Sequence, residues 1–287
     1  MKEVWPNFFI AGTSRAGTTS LYNYLEMISD VYMAPRGKVN YFFPDTYCKK
    51  NSREEYLSLF ENAESKKAIG EYAGYIDRPN SAELIKKTIP NAKIIFCLRN
   101  PIERAFSHYL GALRSHDEEF SFEDSFEKFM NPIDEKSDFY NHYIRPGLYF
   151  ENVRIFMDIF GKENIKIVIF EEFVSDTKSV FQEILDFLEI KTTIPSNVGE
   201  TYNAYAEPLG NIGTALVKNK TINRFTKKIL PASSRVKLLR ILTNKRGKKP
   251  EMQKKHKKIL EKVYMDDSKK LEKLLGRELF WEFLRKS

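Results

Sequence analysis

The chain's 287 residues are 42% hydrophobic and 14% aromatic, enough to bury a sizeable core, which excludes a disordered polypeptide. Two cysteines exclude a disulfide scaffold and a cysteine-based metal cluster. The net charge of +8 is lopsided: from Lys218 onward 23 Lys and Arg face seven acids, whereas the rest of the chain has 24 against 32.

The N-terminus enters an apolar run almost at once, in "NFFIAG", with no signal-peptide pattern. That run reads as a buried strand, and "TTSLYNYLEMI" after it has helical spacing. Three further apolar runs, "KKAIGE", "AKIIFCLRN" and "IKIVIFEEF", read as strands. Helical segments alternate with them: "SAELIKKTI", "PIERAFSHYLGALRS", "YFENVRIFMDIF" and "TKSVFQEILDFLEI". Near-continuous apolar strands between helices predict an α/β fold, a parallel sheet covered by helices on both faces. Without a linker or an internal repeat, residues 1–287 are expected to form one domain. Cys97, inside "AKIIFCL", is expected to be a buried small hydrophobe. No stretch approaches the length of a membrane-spanning helix, so a cytoplasmic protein is expected.

The basic C-terminal quarter admits two readings. "MQKKHKKILEKVYMDDSKKLEKLL" has leucine-type spacing with lysines between, as a solvated helix face would, or it meets an anionic partner. No nucleic-acid-binding signature accompanies it.

Ligands of parallel sheets bind beyond the carboxyl ends of the strands. At the first such end lies "AGTSRAGTTS". Gly12 and Gly17 let the backbone turn tightly around an anion. The amides of Gly17, Thr18, Thr19 and Ser20 open a helix whose N-terminus favours negative charge. A nucleoside triphosphatase loop carries lysine after its second glycine. Here Thr18 stands there, and the cation, Arg15, precedes Ala16 and Gly17. At another strand end lies "LRNPIERAFSHY", where Arg99, Arg104 and Ser107 are placed to gather around one phosphate.

Together these motifs resemble those of the sulfotransferases that use 3′-phosphoadenosine-5′-phosphosulfate (PAPS). In that family [KR]-x-G-T-[TS] binds the 5′ end of the donor, and here the stretch is "RAGTT". The family's R-[ND]-P-x-x-R-x-x-S binds the 3′-phosphate, and here it is "RNPIERAFS". "IGEYAGY", "PGLYFENVRIFMDIFGKENIKIVIFEEF" and "KLEKLLGRELFWEF" resemble later segments of the family, so the likeness covers most of the chain. It implies a P-loop-like sheet and sulfuryl transfer from PAPS to a hydroxyl or amine of a carbohydrate or metabolite, anionic acceptors included. Adenosine 3′,5′-bisphosphate (PAP) would be the product, with no metal. It assigns donor binding to Arg15, Ala16, Gly17, Thr18, Thr19, Ser20, Arg99 and Ser107, and to Arg246 and Gly247 in the basic "KRGKKP" loop.

One departure bears on catalysis. Glycan sulfotransferases of the heparan type carry a catalytic glutamate in [KN]-E-x-H-F-F. The matching stretch is "GKVNYFF", taken with Lys38 in place of the glutamate and Asn40 in place of the histidine. Glu71, at a strand end, then becomes the candidate base, with an ion pair to Lys38 or Arg15 as the competing role. Lys38 is the candidate to hold the sulfuryl group or an anionic acceptor. His108 is expected to pack or to face phosphate. A binding protein without turnover and a P-loop kinase-like phosphotransferase are the alternatives to a sulfotransferase.

Overall fold

The computed structural model describes residues 3–44, 50–78, 80–115, 117–118, 120–199 and 250–285. Five strands, β1 (Phe8–Ile10), β2 (Val31–Met33), β3 (Ala68–Tyr72), β4 (Lys93–Leu98) and β5 (Ile165–Ile169), form one sheet in the order β2-β3-β1-β4-β5. Every pairing is parallel, with Phe9 opposite both Glu71 and Ile94. Four of these strands are the apolar runs read from the sequence. β2 has no counterpart there, and "IKIVIFEEF" changes from strand to helix at Phe170.

The helices are α1 (Thr18–Glu26), α2 (Arg53–Ser58), α3 (Asn80–Thr88), α4 (Pro101–Ser115), α5 (Phe122–Met130), α6 (Phe150–Phe160), α7 (Phe170–Ser175), α8 (Thr177–Phe187) and α9 (Lys254–Leu275). Because side chains alternate along a strand, the central strands feed two cores. Phe8, Ile10, Ile95 and Cys97 pack with Leu21, Leu25, Phe181 and Ile184 of α1 and α8. Phe9, Ile94, Phe96 and Leu98 pack on the other face with Ile85, Phe106, Val153 and Phe156 of α3, α4 and α6. The sheet is thus covered on both faces, as expected. Cys97 is fully buried, and burial pushes its thiol up to about 12.

Helix α9 favours the bland side of the charge argument. Its buried stripe is His256, Leu260, Tyr264, Ser268 and Leu271. Three of its lysines meet acids of the same chain: Lys255 with Glu127, Lys257 with Glu282 and Lys270 with Asp266. Asp267 accepts the backbone amides of Tyr149 at 2.8 Å and Phe150 at 3.2 Å, filling the N-terminus of α6. The hydroxyl of that same Tyr149 donates to the Arg99 carbonyl at 2.9 Å. At the chain's close, Trp281 Nε1 donates to Glu171 at 3.3 Å, and Glu171 also accepts the Asn100 amide at 3.0 Å. The C-terminal segment therefore braces the turn after β4. Among the described residues no helix is long and apolar enough to cross a membrane.

Candidate active site

The carboxyl ends of β1, β3 and β4 lie side by side, because β1 sits between the other two. The turn after β1 is shaped by three residues in the left-handed region. Gly12 has φ +125°, and a Cβ there would meet Ile76 Cγ2 at 2.7 Å. Gly17, at φ +83°, caps α1 with no side-chain cap bond. Arg15, at φ 71°, adopts a conformation that non-glycine residues rarely take outside functional turns. The first amides of α1 therefore face outward with no side-chain cap to occupy them.

The two sequence motifs meet here. Arg99 Nη1 donates to the Arg15 carbonyl at 3.1 Å. The Arg99 guanidinium lies 4.5 Å over the Phe170 ring, whose edge also lines Gly17. Burial lowers the Arg99 pKa, opposed by Glu103 and Glu171. Asn100 caps α4 through the Ile102 amide at 3.0 Å, which fixes the helix that carries Ser107. Ser107 is half-buried on α4. Thr13 Oγ1 and Arg99 Nε are buried with no hydrogen-bond partner among the described residues. Orphaned buried donors next to a helix N-terminus fit an anionic ligand.

The Arg15 side chain runs to the middle of α4. Its guanidinium fills the space where a Cβ on Gly111 would stand, so that any larger residue there would overlap it. Nearby His108 is pushed down to about 3, first by burial and then by the charges of Arg104 and Arg15, so its imidazole is neutral. It meets Tyr143 edge to face, with ring centroids 5.1 Å apart, in keeping with a packing role. Arg104 does not gather around a phosphate. It is fully buried and donates to the Tyr143 carbonyl, so its place is structural.

The acceptor side differs from expectation in two places, the partners of Glu71 and the alignment of "GKVNYFF". Glu71 is 0% exposed, and its partners among the described residues are hydroxyls rather than Lys38 or Arg15. Its two carboxylate oxygens accept from the Tyr56 and Tyr75 hydroxyls. Burial raises its pKa to about 7, against those two hydrogen bonds. The physical reason is register: opposite Phe9, Glu71 projects into the aromatic core of Phe42, Tyr56 and Tyr75. Lys38 is exposed and makes no side-chain contact among the described residues. Counted back from Phe42 and Phe43, the relatives' glutamate falls on Val39 and their histidine on Tyr41, one residue beyond the Lys38 and Asn40 alignment. Val39 is buried, so an apolar side chain stands at that point.

Sequence reasoning passed over two other residues. Asp77 follows Ile76, whose amide donates to the Ala11 carbonyl at 2.8 Å, so Asp77 sits beside the start of the loop. Its side chain opens to solvent from closely packed surroundings. Burial raises its pKa, while Arg104, Arg78 and Arg145 pull it down. A carboxylate five residues past the end of β3 carries no motif, which hides it. Arg36 is the second: its Nη2 donates to Thr19 Oγ1 at 3.1 Å. Arg246 and Gly247 lie outside the described residues.

Comparison with known proteins agrees with the geometry. Residues 6–275 match the family model described as "Sulfotransferase domain". A membrane-associated sulfotransferase, kil1, from Dictyostelium discoideum is 37% identical over 128 residues, which is 41% of this chain and 26% of that protein. A bifunctional heparan sulfate N-deacetylase/N-sulfotransferase 1 from Caenorhabditis elegans is 24% identical over 96% of this chain and 30% of its own length. The chain thus spans between a quarter and a third of these relatives. The crystal structure of a sulfotransferase from Alicyclobacillus acidocaldarius superposes with a TM-score of 0.71 at 26% identity, covering 96% of this chain and 98% of that one. Mouse SULT7A1, solved with PAP, shares the fold at a TM-score of 0.51 and 14% identity, over 91% of this chain and 83% of its own.

Proposed function

We propose, from the premise that the chain belongs to the sulfotransferase domain family, that it is an enzyme moving the sulfuryl group of PAPS to a hydroxyl or amine of a carbohydrate or metabolite. The observation that carries this reading is the bond from Arg99 to the Arg15 carbonyl, which joins the two donor motifs into one site.

In this reading the 5′ end of the donor lies on the amides of Ala16, Gly17, Thr18, Thr19 and Ser20. Arg99 and Ser107 take its 3′-phosphate, with Arg246 and Gly247 closing over it. As the bond between sulfur and the bridging oxygen breaks, the leaving oxygen gains negative charge. The loop amides and Arg15 offset that charge, the largest single contribution in reactions of this kind. The acceptor oxygen or nitrogen approaches sulfur in line and forms the new bond. Its proton passes to Asp77, whose place beside Gly12 and opening to solvent suit that role better than the enclosed Glu71. Products are PAP and the sulfated acceptor. No step calls for a metal ion. We place the chain in the cytoplasm as a single domain, 1–287, acting on a carbohydrate or small molecule rather than on nucleic acid.

The test is transfer of radiolabelled sulfate from PAPS to a panel of saccharides and hydroxylated metabolites, with and without EDTA. Labelled product in both conditions is expected. Binding of PAP without turnover on any acceptor, and without slow hydrolysis of PAPS, would return the chain to a binding protein.

A further inference from the structure

Opposite Arg15 and Arg99, a third guanidinium reaches the phosphate loop. Arg36 lies just past β2, in a turn held by the Tyr22 hydroxyl, which donates to the Ala34 carbonyl at 3.1 Å. Its guanidinium carbon stands 5.6 Å from the Tyr22 ring centroid and 5.5 Å from that of Tyr72. Its Nη2 donates to Thr19 Oγ1 at 3.1 Å, while Thr18 Oγ1 donates to the Tyr72 hydroxyl at 3.0 Å. Two rings and Thr19 thus hold a cation at the opening of α1, with Thr18 fixing one of the rings.

That position is electrostatically costly. A helix N-terminus is the positive end of its dipole, so a guanidinium there is repelled unless an anion stands between them. No carboxylate is ion-paired to it: α1 has no acid in its first turn, Glu26 accepts from the Tyr22 hydroxyl at 3.4 Å, and Arg36 makes no ion pair among the described residues. Three other arginines are ion-paired, Arg53 with Glu3, Arg154 with Glu151 and Asp158, and Arg277 with Glu172. Cation–π contact at an exposed site is weak and does not offset the repulsion by itself. Thr13 Oγ1, fully buried and without a hydrogen-bond partner among the described residues, lies at the other end of the same loop and marks it independently as open to an anion.

We propose that Arg36 grips the sulfuryl oxygens of the donor, an inference that rests on the sulfotransferase reading above. Arg15 and Arg99 approach β1 from the β4 side, whereas Arg36 arrives from the β2–β3 side. The three cations bracket the loop, and Arg36 occupies the flank that the donor motifs leave unassigned. A planar fork suits three equivalent anionic oxygens better than a lysine would. The role given in sequence reasoning to Lys38 passes to the residue two places before it.

PAPS and PAP differ only by the sulfuryl group, so their affinity ratio isolates the contact. Arg36→Ala is expected to weaken PAPS binding by about 10-fold or more, the scale of a lost charge-assisted pair, while PAP binding changes by less than about 3-fold. Arg36→Lys keeps the charge without the fork and should fall between. Melting temperature is measured alongside without ligand, and Arg36→Ala should be as stable as wild type or slightly more so, because the repulsion at the helix N-terminus is relieved. Equal losses for PAPS and PAP, or none for either, would overturn the assignment. If the wild-type chain binds neither nucleotide, the sulfotransferase reading itself has failed, a result separable from any effect of Arg36.

Discussion

The two flanks of β1 are built by different means. On the β4 flank a backbone turn and two short motifs supply the groups: Arg15 and Gly17 in left-handed conformations, Asn100 as a helix cap, and Arg99 tied to the loop carbonyl. On the β3 flank the groups are held by rings, most of them distant in sequence: Glu71 by Tyr56 and the nearby Tyr75, and Arg36 by Tyr22 and Tyr72. A donor that never changes can be bound by backbone amides and a fixed turn. An acceptor pocket shaped by tertiary packing can vary while the donor loop stays intact. The comparison also separates two acids a few residues apart, Glu71 enclosed by hydroxyls and Asp77 open to water among arginines.

The largest expected effect breaks or keeps that last separation. Asp77→Asn should cut turnover by about 10²–10⁴, the usual worth of general base catalysis, with donor affinity little changed. Glu71→Gln should leave turnover within about 3-fold, since Gln still fills the tyrosine clamp. The reverse result would restore Glu71 as the base.

On the donor flank, Arg15→Ala should lower turnover by about 10²–10³, the scale for losing one electrostatic stabiliser. Arg99→Ala should instead weaken PAP binding by about 10–100-fold, as expected for one charge-assisted contact. Turnover that survives Arg15→Ala, with Arg99→Ala abolishing it, would exchange the two roles.

Gly111→Ala sharpens the same flank more gently. Alanine in a helix interior is favoured over glycine by about 1 kcal/mol, so the fold should be as stable or slightly more so. The new Cβ would displace the Arg15 guanidinium, the mobile partner in that contact, and turnover should fall by about 3–10-fold, short of the full loss of the group. Kinetics and thermal melting on one preparation separate the two effects, and unchanged turnover would mean that Arg15 works from another position.

The smallest effect lies in the aromatic core. The Glu71 pKa is raised to about 7, so the folded chain resists ionising a group that the unfolded chain ionises in the ordinary carboxylate range. Its contribution is present below that range and is lost as pH rises through about 7. Denaturant melts from pH 5 to 8 should show wild type losing on the order of 1–3 kcal/mol relative to Glu71→Gln. A constant difference would show that Glu71 titrates normally.

The donor flank was legible in the sequence because its determinants are local. Gly12, Arg15, Gly17 and Thr18 fall within seven residues, and Arg99 to Ser107 within nine. The acceptor flank was not. β2 is three residues, "VYM", too short for a periodic signal, and with the strand unseen Arg36 had no strand end to mark it. The strand-to-helix change at Phe170 is hidden inside one apolar run, since a buried strand and a buried helix start look alike there. Glu71 was correctly placed at a strand end, but its face is set by pairing with Phe9 and its partner Tyr56 lies 15 residues upstream. Nothing in "IGEYAGY" shows which side of the sheet that carboxylate enters.

The central claim is that the Arg15 and Arg99 motifs form one site for a nucleotide phosphorylated at both 3′ and 5′ positions. Calorimetric titration of the full chain with PAP and with ATP, in the absence and presence of magnesium, tests it most directly. The account predicts PAP binding tighter than ATP by at least about 10-fold, the scale of one charge-assisted contact to the 3′-phosphate, and unaffected by magnesium. Equal affinity for ATP, or a requirement for magnesium, would contradict it.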